Sequence, residues 1–397
     1  MKLRTILLAV TAASAMCICA FALKPGIKNA YDRVPGTGKV PEPADPNSKP
    51  KIQAAILLDV SGSMDGLIEQ AKTQLWNMAS VMGRAKCDGV SPELEIALYE
   101  YGRTTNDQAK GYVKRISALS TDLDLLSKEL FSLTTDGGEE YCGNVIYTSL
   151  NELNWDSNPG TYKVIFIAGN EDFRQGNISF TKACEEAKRK GVIVNTIYCG
   201  NRQQGIRENW MLAGECGNGS FTYIDHNAVE REIPTPFDST LFALNRTLNA
   251  TYVHYGAFGS AKMQEQASVD QMNYEKNRTA AAKRVEVKSK AGVYKNSNWD
   301  LVDAYKDDKT IVKKIDKRTL PSGLQQKSDT EIESYVIGKS KERDNIRKQI
   351  GEVNVKREAF IKQEKAKVSN TPSTLETEIE KMIRDQASRF RMKIEDQ

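Results

Sequence analysis

Residues 56–65 read ILLDVSGSMD, an apolar run that ends in an aspartate and two serines. Asp59, Ser61 and Ser63 bring three oxygen-bearing side chains into one short turn. A carboxylate and two hydroxyls after a strand are the hard oxygen ligands that Mg²⁺ prefers, with water in its remaining positions. The alternative is that Asp59 or Ser63 only caps the helix that follows, as these residue types commonly do.

The sequence around this turn alternates between strand-like and helix-like segments. Apolar runs rich in Ile, Val and Tyr predict strands at Ala54–Val60, Leu94–Tyr101, Val164–Ala168 and Val192–Tyr198. Amphipathic stretches between them, such as Leu67–Met82 and Ile178–Lys190, predict helices. This alternation indicates an α/β fold with a parallel sheet covered on both faces. The functional crevice of such a sheet lies beyond the carboxyl ends of its strands, where Asp59 stands.

The stretch DVSGS after a buried strand resembles the metal-ion-dependent adhesion site of a von Willebrand factor type A (VWA) domain. GVIVNTIYCG (191–200) and WMLAGECGNGSFTYI (210–224) resemble later elements of that family, so the likeness covers about residues 51–257. The resemblance implies a doubly wound, Rossmann-like, mostly parallel sheet with an antiparallel edge strand. It also implies no catalysis and the binding of protein ligands, in many members through a ligand carboxylate that completes the metal's shell.

The site residues that this resemblance implies match the family only in part. The first loop matches fully. The second usually places a threonine after paired glycines, but TTDGGEEYCG (134–143) has Glu139 and Glu140 there. In the third, Gly169 stands where the family has an aspartate, so Glu171 or Asp172 would have to reach back. The predicted metal ligands are Asp59, Ser61, Ser63, Glu139, Glu140 and Asp172, and the predicted ion is Mg²⁺, with Mn²⁺ and Ca²⁺ as alternatives.

Other chemistries fit the sequence less well, and we expect no enzymatic activity. Ser61 or Ser63 as a nucleophile would need glycines two residues before and after it, and neither serine has both. His226 and His254 are the only histidines that could act as bases. The GTGK at 36–39 lacks the preceding strand and the full spacing of a phosphate-binding loop.

Composition divides the chain into five predicted segments. Residues 1–22 have basic residues before an uncharged apolar stretch and end in a small-x-small pattern, which predicts a cleaved signal peptide, with an uncleaved anchor as the alternative. Residues 23–50 form a Pro-rich linker. Residues 51–257 are the VWA-like region, 258–320 a polar connector, and 321–397 a charged helical tail.

The tail is predicted to contain two helices. The second is marked by Ser373 and Glu376 as a capping box and by apolar residues on one face. Their narrow apolar stripes indicate packing on each other or on the main domain, with a coiled coil to a partner as the alternative.

Five cysteines follow residue 22, and export to an oxidising compartment would let some of them pair. Cys199 and Cys216 are close in sequence and are the favoured pair. The alternative is that all five are free and buried.

These observations lead to two functional hypotheses. The first is an exported protein, periplasmic, cell-surface or secreted, that binds an unidentified protein through the metal site, with an acidic residue of the partner as the expected contact. The second is a metal-free VWA scaffold whose basic helical tail makes the functional contact in an envelope assembly. Both place the chain near a membrane or cell envelope, and neither involves nucleic acid.

Overall fold

A computed structural model describes residues 49–65, 68–224, 233–367 and 375–395, all of which belong to one compact unit. The predicted signal peptide, nearly all of the predicted linker, His226 and Ser373 lie outside the described residues.

In the described residues, eight strands form two sheets. They are β1 (Lys51–Asp59), β2 (Ala85–Cys87), β3 (Glu93–Tyr101), β4 (Lys114–Ser120), β5 (Tyr162–Gly169), β6 (Ile193–Cys199), β7 (Asn218–Ile224) and β8 (Met392–Ile394). The central sheet has the order β4-β3-β1-β5-β6-β7, and β2 pairs with β8 in a small antiparallel sheet. Within the central sheet only β4 is antiparallel to its neighbour. The predicted doubly wound, mostly parallel sheet with an antiparallel edge strand is confirmed, and the four predicted strands are β1, β3, β5 and β6.

Twelve helices surround the sheets in the described part of the chain. They are α1 (Ile68–Met82), α2 (Leu123–Ser132), α3 (Cys142–Glu152), α4 (Phe180–Lys190), α5 (Arg202–Arg207), α6 (Trp210–Cys216), α7 (Asp238–Asn249), α8 (Gly259–Lys276), α9 (Arg278–Ser289), α10 (Leu301–Asp307), α11 (Asp329–Ala366) and α12 (Leu375–Ser388). Short 3-10 turns lie at Gly62–Met64, Gln108–Lys110, Ile311–Lys313, Lys317–Thr319 and Ser322–Leu324.

The two faces of the central sheet build two separate cores. Alternate residues of β1 point to opposite faces, so that Ile56 and Leu58 enter one core while Ala55 and Leu57 enter the other. The first core includes side chains from α1, α2, α7, α9 and α12, and the second from α3, α4 and α6. Because both faces are covered, the central strands are largely apolar.

The segment predicted as a polar connector, 258–320, contains α8, α9 and α10. Its polar residues include charges that are buried in ion pairs. Arg284 on α9 lies 2.6 Å from Asp124 of α2 and 2.6 Å from Asp270 of α8, and Lys288 lies 2.7 Å from Asp270. These contacts attach α8 and α9 to the helices that cover the sheet. The predicted boundary near residue 257 stays a prediction.

The tail region also packs on the rest of the protein. Ser328 and Glu331 form a capping box at the start of α11. Two arginines of α11 are buried against other elements: Arg343 lies 2.6 Å from Asp300, and Arg357 lies 2.9 Å from Asp238 at the start of α7. The coiled coil with a partner stays a prediction. Among the helices of the described ranges, none is both long and apolar enough to cross a membrane.

The favoured cysteine pair is wrong. All five cysteines of the described residues are free thiols. Cys199 belongs to the core on one face of the central sheet, whereas Cys216 packs against the core on the other. Sequence proximity could not reveal this separation, because consecutive side chains of a strand alternate between faces.

Helix α12 is joined to the sheet through one buried amide. Gln386 accepts hydrogen bonds from Tyr162 Oη (2.9 Å) and Asn195 Nδ2 (3.0 Å), and it donates to Asn195 Oδ1 (2.6 Å). Tyr162 and Asn195 lie on β5 and β6, so this contact fixes α12 across two strands.

We expect Gln386→Leu to lower the free energy of unfolding by about 2 kcal/mol or more, because it leaves the buried Tyr162 hydroxyl and Asn195 Nδ2 without acceptors. Urea unfolding measures the change. Asp385→Ala, at the exposed neighbouring position, is the control and should change stability by no more than about 0.5 kcal/mol. Equal stability of the two variants would show that the amide contact contributes nothing.

Candidate functional site

Three loops meet at the carboxyl ends of β1, β3 and β5. Loop one (60–65) follows β1, loop two (133–141) precedes α3, and loop three (170–179) follows β5. The strand order reverses direction between β1 and β5, because the chain builds the sheet outward from β1 first on one side and then on the other. Crevices at such positions are the usual binding sites of open α/β sheets.

Asp59 ends the central strand β1 and has no solvent exposure. Its Oδ1 accepts a hydrogen bond from the backbone N–H of Ser61 at 2.8 Å. Its Oδ2 is buried and accepts no hydrogen bond from any residue that the structure describes. Burial, with added repulsion from Glu140 and Glu171, raises the pKa of Asp59 to about 7. An orphaned carboxylate oxygen is costly in a protein interior.

The two serines of loop one extend this cluster toward solvent. Ser61 Oγ lies 2.8 Å from Ser63 Oγ, and Ser63 Oγ donates to Asn170 Oδ1 at 2.9 Å. Asn170 in turn donates from Nδ2 to the backbone oxygen of Ser63 at 3.3 Å. Asn170 was missed as a site residue, although it stands directly after the glycine that breaks the family pattern. Its side-chain oxygen is the one that loop three places beside the serines.

Loop two contributes Glu140. Its carboxylate lies within hydrogen-bonding reach of Ser61, and burial raises its pKa to about 6, with Glu171 and Glu139 adding repulsion. Gly102 makes this approach feasible, because a Cβ there would lie 2.8 Å from Asp59 Oδ1 and 3.1 Å from Glu140 Cγ. Between the two alternatives in loop two, Glu140 is buried beside Ser61, whereas Glu139 is exposed.

Loop three has no room for a side chain at residue 169. A Cβ on Gly169 would lie 2.4 Å from the hydroxyl of Tyr101 and 3.1 Å from Asp59 Oδ2. The Tyr101 hydroxyl is held there because it donates to the backbone oxygen of Ala168 at 3.0 Å. The glycine that departs from the family pattern is therefore matched by a tyrosine of β3, which reaches it across the end of β1.

Asp172 does not join the cluster formed by Asp59, Ser61, Ser63, Glu140 and Asn170. Its carboxylate pairs with Arg174, with Oδ2 2.6 Å from Nη2, and it also accepts from Asn209 at 3.4 Å. The hydrogen bond from Arg174 lowers the pKa of Asp172. The structure thus does not support the predicted role of Asp172 as a metal ligand, because its carboxylate already pairs with the Arg174 guanidinium. Glu171, the other predicted alternative, acts electrostatically on both Asp59 and Glu140.

The five clustered side chains fit a hard divalent cation. They offer two carboxylates, two hydroxyls and an amide oxygen, and the orphaned Asp59 Oδ2 gives the cation an oxygen to satisfy. A cluster of three or more His, Cys, Asp or Glu side chains arranged for a metal is not found in the described ranges. A cation here would therefore rely on neutral oxygens and water as well as on Asp59 and Glu140.

Within the described residues, no histidine lies beside the two serines of loop one. His254, the histidine within the described residues, contacts the backbone oxygen of Thr319 through Nδ1 at 3.0 Å. The side chains that approach Ser61 and Ser63 are those of Glu140 and Asn170.

No family model matches this sequence, and no curated protein matches it. Among solved structures, proximal thread matrix protein 1 from the mussel byssus is similar at 13% identity, over 45% of this chain and 43% of its own, with a TM-score of 0.33. The chain thus spans less than half of that protein. One structure of the mussel protein is described with a zinc-occupied MIDAS motif.

Named VWA structures are also similar, as the resemblance predicted. The SpRpn10 VWA domain matches at 14% identity over 47% of this chain and 90% of its own, with a TM-score of 0.33. The pilus adhesin SpaC from Lactobacillus rhamnosus GG matches at 16% identity over 47% of this chain and 29% of its own, with a TM-score of 0.34. These values add no argument to the sheet order described above, and the site is argued from this chain's own residues.

The raised pKa of Asp59 predicts how the cation-free protein responds to pH. A carboxyl whose pKa is higher in the folded than in the unfolded state gives stability that is complete below the unfolded value and is lost as pH rises through the folded value. With about 7 in the folded state and about 4 in the unfolded state, we expect a loss on the order of 3–4 kcal/mol between about pH 4 and pH 8.

Urea unfolding in EDTA at several pH values measures this loss. Since Glu140 and other carboxyls titrate with the same sign, the readout is the difference between wild type and Asp59→Asn, which should lose less stability as pH rises. Parallel pH profiles for the two proteins would contradict the prediction.

The contact between Gly169 and Tyr101 predicts an interaction that two substitutions can reveal. Gly169→Ala should destabilise the protein by about 2 kcal/mol or more, because its Cβ meets the Tyr101 hydroxyl. Tyr101→Phe removes that hydroxyl, so the double variant should be more stable than the sum of the single changes by about 1 kcal/mol. Denaturant unfolding of the four proteins gives this coupling, and strict additivity would rule the steric explanation out.

Proposed function

We propose that this chain is an exported, non-enzymatic binding protein that holds a divalent cation in the crevice at the carboxyl ends of β1, β3 and β5 and engages a protein partner through it. The observation that carries the proposal is the buried, unpartnered Asp59 Oδ2 beside Ser61, Ser63 and Glu140. The export part of the proposal rests on the sequence of residues 1–22.

The proposed ligands are Asp59, Ser61, Ser63, Glu140 and Asn170, and Mg²⁺ or Mn²⁺ is the proposed ion. These residues replace the charge that the missing loop-three aspartate would supply, because Glu140 brings a carboxylate from loop two. A hard cation at this place would neutralise Asp59 and Glu140, whose pKa values are raised chiefly by burial and further by the carboxylates nearby.

The proposed partner presents a carboxylate. The rim of the crevice includes the carboxylates of Glu139 and Glu171, which would repel an acidic group in the absence of a cation. A bound divalent ion attracts such a group and leaves a coordination position for its oxygen, so that partner binding would depend on the cation. Ser63, which is exposed, lies on the side from which the partner would approach.

The alternative, a metal-free scaffold that acts through its basic tail, is less well supported. The buried residues of α11 and α12 contribute to the cores of the protein, and Arg343, Arg357 and Gln386 connect these helices to other elements. Removal of the tail would therefore disturb the fold, and point substitutions are the appropriate way to separate the two functions.

Calorimetric titration of the full chain with Mg²⁺ and with Mn²⁺ tests the site. We expect saturable binding that Asp59→Ala abolishes and that Asn170→Ala weakens by about tenfold, since each removes an oxygen from the proposed shell. Asp172→Asn is the matched control, because it removes a neighbouring carboxylate that pairs with Arg174. Its affinity should stay within about twofold of wild type.

Failure of wild type to bind either ion at neutral pH would overturn the proposal and leave Asp59 and Ser63 as helix-capping residues. Equal losses in Asp59→Ala and Asp172→Asn would instead show that general negative charge, and not the ligand set, holds the ion.

A further inference from the structure

Two cysteines lie together on the face of the sheet that carries α3, α4 and α6. Cys184 of α4 is buried, and its Sγ lies 3.8 Å from the backbone oxygen of Ala213 on α6. Cys216 ends α6 three residues after Ala213, so the two share one side of that helix. Cys216 packs against the same core to which Cys184 belongs, and it acts electrostatically on the Cys184 thiol.

The two thiols differ in their access to solvent. Cys216 is partly exposed, whereas Cys184 belongs to the buried core on this face. An oxidant in solution would therefore meet Cys216 first, and Cys184 is the thiol placed to react with it afterwards. Cys142 and Cys199 are fully enclosed, and Cys87 lies on β2, away from both helices.

We propose that Cys184 and Cys216 form an intramolecular disulfide when the protein meets a disulfide oxidant, and that this bond ties α4 to α6 behind loop three. In the first step the Cys216 thiol loses its proton and its sulfur attacks one sulfur of the oxidant, whose other half leaves as a thiol. In the second step the deprotonated Cys184 attacks Cys216 and releases the remaining half as a second thiol. Two cysteines are oxidised, and the oxidant is reduced to two thiols.

Helix α6 matters to loop three because its first residue and the two residues before it contact that loop. Trp210 Nε1 donates to the backbone oxygen of Glu171 at 2.7 Å, and Asn209 Nδ2 donates to Asp172 at 3.4 Å. The backbone N–H of Phe173 donates to the oxygen of Glu208 at 3.0 Å. A covalent bond at the end of α6 would thus restrict the element on which loop three rests, whether or not a cation is bound.

The test uses the full chain with Cys17→Ser and Cys19→Ser, so that only the five cysteines of the described part can react. After incubation with oxidised glutathione we expect a mass lower by two hydrogen atoms and a cross-linked peptide that contains Cys184 and Cys216. The thermal unfolding midpoint should rise by several degrees, because the bond restricts the unfolded chain, and dithiothreitol should reverse the shift. Hydrogen exchange of peptides from residues 170–179 should slow.

Variants identify the pair. Cys216→Ser and Cys184→Ala should each abolish the cross-link and the thermal shift, whereas Cys87→Ser, which removes a cysteine of similar exposure, should retain both. The proposal is overturned by a stable glutathione adduct on Cys216 with Cys184 still a thiol, by a cross-link to another cysteine, or by no loss of thiols. A cross-link without slower exchange in loop three would overturn the effect on that loop.

Discussion

The carboxylate of Asp59, buried at the end of the central strand, is the constraint on which the surrounding structure depends. Burial of an ionised group is unfavourable unless other groups compensate for it. Here one oxygen has a backbone N–H and the other has none. The surrounding backbone is shaped around this carboxylate: Gly102 keeps a side chain away from Oδ1 and Gly169 keeps one away from Oδ2, while Glu140 lies close enough to repel it. The site therefore consists of one buried carboxylate with an unsatisfied oxygen, and of the space that is left beside it.

The rest of the protein must hold the Asp59 carboxylate in place. The sheet does so directly, because β1 lies between β3 and β5 and Asp59 pairs in register with Tyr101. The helical region after residue 257 contributes less directly, through buried ion pairs. Arg284 joins α9 to α2 and α8, and Arg343 joins α11 to α10. Such pairs add little net stability compared with apolar contacts, but a misplaced helix would leave a charge unpaired, which makes them effective in specifying position.

The sequence allowed the sheet to be predicted because its strands carry their own signal. Ile56, Leu57 and Leu58 are apolar in succession since both faces of β1 are covered. The region after residue 257 gave no such signal, because residues such as Lys283, Arg284 and Lys288 look like a solvated surface when they are in fact buried. Only knowledge of Asp124 and Asp270, which are distant in sequence, could have identified them as interior. Composition cannot distinguish a solvated charge from a paired one.

The candidate site could also be predicted in part. Residues that lie close together in sequence could be found, and those whose place depends on distant contacts could not. Asp59, Ser61 and Ser63 lie within one turn, so a local pattern reveals them, and the paired glycines pointed to Glu139 or Glu140 without deciding between them. The residue of loop three that faces the site was harder to predict. The choice among Asn170, Glu171 and Asp172 depends on contacts that Tyr101 and Arg174 make. Tyr101 occupies the space of a side chain at residue 169, so the next oxygen along the chain, that of Asn170, turns toward Ser63. An aromatic residue on one strand thus determines which residue of another loop faces the site, and this explains how a chain can lose the third acidic position of the pattern and still keep an oxygen there.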